Sequence, residues 1–468
     1  MHYIQEIINQ LYMDLKIKLF GILFIGITSI ANAQHEMHQS AKKDTAKNKV
    51  DTSMKHMDHD MHNMKDATPM SHAYSLNLPM NRNGSGTSWL PDVAPMYGIM
   101  LHSKKWMFML HGNIALRYTK QDVGNKGSRG GDKFDAPNWF MAMGQRKVGK
   151  KGLLHFGAML SFDRLTEGGA GYPLLFQTGE SWKGIPLVDK QHPHDLFSEL
   201  SIAYTYAFSK KSDLTFYLGY PGEPALGSVA FMHRPSALAN PDAPISHHWN
   251  DGTHITFGVA TVGFRYNKIK IEASSFTGRE PDENRFDFDK PRFDSYSARL
   301  SFNPNKNWAL QVSQGWIKSP EILHDNENVN RTIASAIYAL PMGDEKNLNA
   351  TALWGLNKSK GHEGENAVLL EAAYRVKKLS IYSRYEWVQK SAEELNLDEN
   401  SFNKNLFGVN ALSLGLNYDV FKFSKFRSAI GGQFSIYSTN SALDNLYGKN
   451  PIGGQIFLRF YPNLMNRN

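Results

Sequence analysis

From Trp106 to the C-terminus this chain alternates apolar and polar side chains with a period of two. The alternation is broken at intervals whose lengths switch between long and short. In the first segment Trp106, Phe108, Leu110, Ile114, Leu116 and Tyr118 fall on one side, and Met107, Met109, His111, Asn113 and Arg117 on the other. Successive side chains of a strand point to opposite faces, so each segment is a strand with one greasy and one polar wall. The split recurs at 153–163, 294–302 and 379–389. No helical period competes with it.

Sixteen such strands can be placed, the first at 106–119 and the last at 451–461, with 14 to 18 the range the pattern allows. Long connections (120–137, 164–195, 221–252, 277–293, 317–331, 357–365, 390–404, 438–450) alternate with turns that are mostly short, several of them lysine-rich, such as Gly149-Lys150-Lys151 and Lys377-Lys378. A soluble sandwich has no reason to alternate loop length this way. A transmembrane antiparallel β-barrel does, with short periplasmic turns, long external loops and an even strand number. The expected class is therefore all-β, a barrel embedded in outer-membrane lipid, with an aromatic girdle drawn from Trp106, Tyr118, Trp139, Tyr220, Trp308, Trp316, Trp387, Tyr437 and Tyr461. The closing segment Gln455-Ile456-Phe457-Leu458-Arg459-Phe460-Tyr461 is the kind of amphipathic strand that barrel-assembly machinery engages. There is no cysteine, which rules out disulfides and thiolate zinc sites. No basic run with interleaved aromatics suggests nucleic acid.

The N-terminal region reads differently. Lys16 and Lys18 precede an apolar run from Leu19 to Ile30 that ends in Ala31-Asn32-Ala33. That order marks residues 1–33 as an export signal, with Met13 the expected true start. The run is shorter than the roughly 20 residues a spanning helix needs. Residues 34–80 are polar and low in complexity, and are expected to be a disordered periplasmic tail. Residues 81–105 lead into a barrel at 106–468. The tail concentrates His35, Met37, His38, Met54, His56, Met57, His59, Met61, His62, Met64, Met70 and His72, with Asp58, Asp60 and Asp66 among them. Thioethers suit Cu(I) and silver, and imidazole suits either copper state. An oxidisable apolar residue has little reason to be enriched in an exposed tail unless its sulfur is used; a solvated linker of biased composition is the plain alternative.

The formal charge is +8, and residues 1–80 carry eight lysines and eight acids, so the excess lies in the body. A basic lumen or rim that attracts anionic solutes is one reading, a mildly basic protein the other. Two loops stand out. His192-Pro193-His194-Asp195 ends the first, while the second contains Phe231-Met232-His233-Arg234-Pro235 and His247-His248, with His254 just beyond. Folded into the lumen, His192, His194, His233, His247, His248 and His254 would either hydrogen-bond the loops together or coordinate a metal ion. Fourteen of the 19 methionines lie between residues 37 and 159, and Met107, Met109 and His111 share the polar wall of the first strand. This is either a soft-ligand path continuing from the tail or the packing of a plug. No serine stands in a hydrolase-like context, and an outer-membrane hydrolase is the weakest of the rival readings.

With export signal, a Met57-Asp58-His59-Asp60-Met61-His62 tail and a barrel in that order, the chain resembles the CopB family of copper-resistance outer-membrane proteins. The resemblance rests on the composition of residues 34–72 and on barrel architecture; the loops with His192 and His233 resemble those of uncharacterised outer-membrane proteins. It implies copper sequestration or tolerance without enzymatic turnover, with copper or silver as the bound ion. The alternative is a general or solute-specific porin for metal ions or small solutes, carrying an incidental tail.

Overall fold

The computed structural model describes residues 74–323, 325–398, 402 and 406–465. The predicted export signal and the tail donors from His35 to His72 lie outside the described residues. Sixteen strands form the wall. They are β1 Met107–Gln121, β2 Asn138–Val148, β3 Gly152–Leu160, β4 Phe197–Ala207, β5 Ser212–Gly219, β6 Val259–Tyr266, β7 Ile269–Phe276 and β8 Ser295–Phe302. The second half is β9 Trp308–Lys318, β10 Asn328–Pro341, β11 Lys346–Ser359, β12 Glu365–Val376, β13 Leu379–Ser391, β14 Leu406–Lys422, β15 Phe426–Ser438 and β16 Ile452–Pro462. Each strand pairs antiparallel with the next, and β16 returns to β1 from Ile114↔Phe460 to Lys120↔Gly454, which closes the sheet. Two short strands extend the pairing of β1 at its ends, Ile99–His102 at the start and Gly131–Asp135 at the far end.

Side-chain alternation follows the predicted split. In β8, Ser295, Ser297, Arg299 and Ser301 are buried, whereas Tyr296 and Leu300 are 57% and 43% exposed. The apolar residues therefore face outward all round, with Phe216, Leu218, Phe264, Ile271, Trp316 and Leu414 among them. A closed barrel satisfies its backbone polar groups from strand to strand, and an outer wall of this kind belongs in hydrocarbon. Three of the nine expected girdle residues do not join it. Trp139, Tyr437 and Tyr461 are buried on the inner face, because each shares its register with polar lumen residues. Trp139 packs on His111 and His233, Tyr437 hydrogen-bonds Gln121, and Tyr461 donates to Asp419 at 2.6 Å.

The short turns at 149–151, 208–211, 267–268, 303–307, 342–345, 377–378 and 423–425 gather at one rim. Residues 96–98 and 463–465 meet beside them: Gly98 N donates to Asn463 O at 3.2 Å and Met465 N to Met96 O at 2.9 Å. The other rim carries the long connections, and two of these turn inward. Residues 161–196 and 220–258 fill the lumen with Phe176, Leu226 and Trp249, none more than 1% exposed. The wall supplies the hydrogen bonds that this irregular backbone lacks. Ala225 N donates to Ser274 Oγ at 2.8 Å, Gly227 N to Ser313 Oγ at 2.9 Å, and Ser246 N to Glu386 Oε1 at 3.0 Å.

Two expected boundaries move. The strand expected to begin at 253 begins at Val259, since Thr256 exchanges both backbone hydrogen bonds with Gly222 inside the plug and Gly258 turns the chain at φ +103°. The disordered tail was expected to reach Met80, yet residues 74–80 have defined places. Thr205 Oγ1 donates to Tyr74 O at 2.7 Å, and the Tyr74 ring packs on His155 and Tyr217. The lead-in that follows is a second plug. Trp89 lies between Arg82 and Lys270, whose charges stand 4.7 and 4.9 Å from its ring, and Asn303 Nδ2 donates to Leu90 O at 2.9 Å.

Candidate functional site

The two inward loops bring five of the six loop histidines together. The single helical turn His247–Asn250 presents His247 and His248, and the stretch after Lys190–Gln191 presents His192 and His194. Ring centroids are 5.1 Å apart for His247 and His248, 5.0 Å for His247 and His254, 5.5 Å for His192 and His248, and 5.5 Å for His194 and His254. One ring nitrogen from each of His192, His247 and His248 lies within 4.8 Å of the other two, and all three residues are buried. Phe231 fills the space beside His194, His247 and His254.

Each ring also has an oxygen partner. His247 Nδ1 lies 2.7 Å from Asp251 Oδ1, His194 Nδ1 2.7 Å from Asp163 Oδ2, and His248 Nδ1 3.4 Å from Glu280 Oε1. His192 Nε2 lies 3.1 Å from Glu180 Oε1, and His254 Nδ1 2.8 Å from Asp251 O. Two of these carboxylates are held in turn by arginine. Arg234 contacts Asp251 at 2.7 Å and Glu371 at 3.0 Å, and Arg285 bridges Glu180 and Asp195. The Nε2 atoms of His194, His248 and His254 are buried without a hydrogen-bond partner. Burial, then neighbouring positive groups, holds the His192 and His254 imidazoles well below their ordinary range, and burial lowers His247 against the pull of Asp251. These rings are neutral at pH 7. Burial pushes the Glu180 carboxyl up to about 7 although Arg285 opposes it.

His233 is the exception. It lies on the far side of Phe231, with its ring 5.4 Å from His111 and 4.8 Å from Trp139. There it joins a methionine chamber. Across the inner face of the wall, His111 stands opposite Met141 and Met141 opposite Met159; one step along the strands, Met100, Met109 and Met143 form a second row. Directly opposed side chains of a sheet are about 5 Å apart. Met232, Met96 and Met465 close the chamber. Met107, two residues from Met109 on the same face, is buried opposite Gln145.

On the opposite side of the histidines an outer vestibule is lined by Glu180, Glu280, Glu283, Glu321, Glu365 and Glu394, with His248 at its floor. A cavity beneath it contains His192, His194, Phe231 and Met232, and the methionine chamber shares Trp139 and Met232 with that cavity.

Sequence reasoning missed the carboxylate partners and most of the sulfur. Asp251 could have been found, four residues after His247 on a helical turn. Met141, Met143 and Met159 fall on the polar register of predicted strands, a signal that was available. Asp163 and Glu180 come from distant points of the first inward loop and Glu280 from another loop, and they leave no local trace.

No protein-family model and no curated protein matches the chain. Among solved structures it is similar to Salmonella typhi OmpF in complex with daunomycin, at 7% identity over 78% of this chain and 100% of that one, with a TM-score of 0.48. An anion-selective porin from Comamonas acidovorans gives 10% identity over 76% and 100%, with a TM-score of 0.44. The outer-membrane channel DcaP of Acinetobacter baumannii gives 11% over 77% and 99%, with a TM-score of 0.43. The likeness is one of fold.

Proposed function

We propose that the chain is a solute-selective channel of the outer membrane, and that its solute is a metal cation. Barrels of sixteen strands have a lumen wide enough for water and small solutes. Here the two inward loops and the lead-in occupy that space, which argues against a general diffusion pore. The observation that carries the reading is the order of the cavities: carboxylates outside, imidazoles in the middle, thioethers on the side of the short turns. Carboxylates gather cations of any kind, imidazole selects transition metals, and thioether favours the softest of them.

Copper is the first candidate, because the methionine chamber and the Met/His-rich segment before residue 74 supply the same two donors. Copper tolerance, as the resemblance to CopB implies, would follow from such handling, with the tail on the periplasmic side. The test is reconstitution of the full chain in vesicles. Copper or zinc should enter vesicles that exclude small neutral sugars. Sugar permeation at the rate of an open porin would overturn the selective reading in favour of a general one.

A further inference from the structure

We infer that His192, His247 and His248 form a discrete binding site for one divalent transition-metal ion within the plug, with His194 and His254 adjoining it. The inference rests on the channel reading for its meaning, but on the residues alone for its existence.

A metal bonded to imidazole nitrogens at about 2.0–2.1 Å in tetrahedral geometry places those nitrogens roughly 3.3 Å apart. The three nitrogens already lie within 4.8 Å of one another. Closing the site needs ring movements on the order of 1 Å, which side-chain rotation supplies.

The surroundings are those of a ligand set more than of a hydrogen-bond network. A histidine ligand usually gives its second ring nitrogen to a carboxylate or carbonyl, which fixes the tautomer and aims the lone pair at the metal. Asp251 does this for His247 and Glu280 for His248, leaving Nε2 of each for the ion; Glu180 takes the Nε2 side of His192 and leaves Nδ1, whose neighbour Gln191 Nε2 is a distant 3.5 Å. A plug held only by hydrogen bonds has no use for buried imidazole nitrogens that find none. Yet His248 Nε2, on a side chain 7% exposed, is such an atom, as are the buried Nε2 atoms of His194 and His254. Leaving a polar atom buried and unsatisfied is costly, and a metal ion would remove the cost for the rings it binds.

Charge agrees. Asp163, Asp251 and Glu280 stand directly behind the rings, and Arg234 neutralises only part of that set. An all-nitrogen set of imidazoles selects borderline ions over magnesium or calcium, and among the first-row divalent ions Cu(II) binds such donors most tightly.

Co(II) is the probe, since its visible spectrum reports imidazole coordination and it has little affinity for the thioethers of the tail and chamber. The full chain is used with His35, His38, His56, His59, His62 and His72 changed to Gln, so that imidazoles of the tail do not compete. One Co(II) per chain with a tetrahedral spectrum is expected, displaced by Cu(II). The double change His247→Gln with His248→Gln should abolish the band, and Glu280→Gln should weaken binding by roughly 10–100-fold. Retention of the fold is read from the mobility of the unheated barrel in detergent gels; should the double variant fail to fold, His192→Gln alone serves in its place. No band in the parent, or the same band in the histidine variants, would overturn the site. Metal flux into vesicles separates this from the channel reading. Co(II) binding without flux removes the channel and leaves the site, whereas flux without a Co(II) band removes the site and leaves the channel.

Discussion

At the scale of single residues, burial decides the chemistry of the plug. His233 has its pKa lowered to about 4 by burial alone. Below pH 6.5 the undocked loop binds a proton that the docked loop refuses, so docking weakens as pH falls and the loss is complete once pH passes below about 4. The shift amounts to something on the order of 3 kcal/mol. His111 faces the same ring, and Arg459 lines the same chamber. Vesicle-reconstituted channels should therefore conduct more at pH 4.5 than at pH 7, and His233→Gln should flatten that dependence. An unchanged pH profile in the variant would show that His233 does not hold the plug. The histidines themselves were legible in the sequence, because six fall between residues 192 and 254 and long loops of a barrel have few places to go. Which five would meet was not legible. That depends on Phe231 dividing the space and sending His233 to the methionine side.

At the scale of elements, the strands were legible and the plugs only partly so. Period two survives in the sequence because lipid demands apolar residues outside while the lumen accepts Arg, Ser and Glu. All sixteen predicted strands overlap an observed one. The lead-in carries no such pattern, so its fold depends on distant partners such as Lys270 and Asn303. The helical turn His247–Asn250 shows how wall and plug are fitted. A Cβ at Gly355 of β11 would come within 2.6 Å of Trp249 O, so the wall is bare where the turn rests. Trp249, which is fully buried, donates Nε1–H to Glu365 O at 3.1 Å and has Lys390 Nζ 4.2 Å from its ring centroid. Gly355→Val should lift the turn without disturbing barrel pairing, and Trp249→Ala should loosen it by about 3–5 kcal/mol. Limited digestion with proteinase K reads both: cleavage within 220–258 should speed up while the unheated barrel keeps its mobility. Protection equal to that of the parent would mean the turn is held elsewhere.

At the scale of the whole molecule, the excess positive charge of the body does not make a basic lumen. Many inward arginines are matched: Arg117 with Asp135 and Asp242, Arg265 with Asp213, Arg299 with Glu272, and Arg384 with Glu371. Lysines such as Lys150, Lys211, Lys268 and Lys377 sit instead on the short turns. The molecule is thus polarised end to end, with basic turns at one rim and the carboxylate vestibule at the other, and a cation drawn to the vestibule meets imidazole before sulfur. This order has meaning only if the vestibule faces the outside of the cell, which the antiparallel closure of β16 onto β1 makes testable at single residues. Lys126 and Lys449 are exposed on long connections, and Lys377 is exposed on a short turn. The chain has no cysteine, so one introduced at each position is the sole target for a membrane-impermeant thiol reagent. Lys126→Cys and Lys449→Cys should label on intact cells, and Lys377→Cys only after the outer membrane is opened. The reverse pattern would put the methionine chamber outside and the glutamates inside, and a path that runs from weak, general attraction to strong, soft coordination would then point out of the cell.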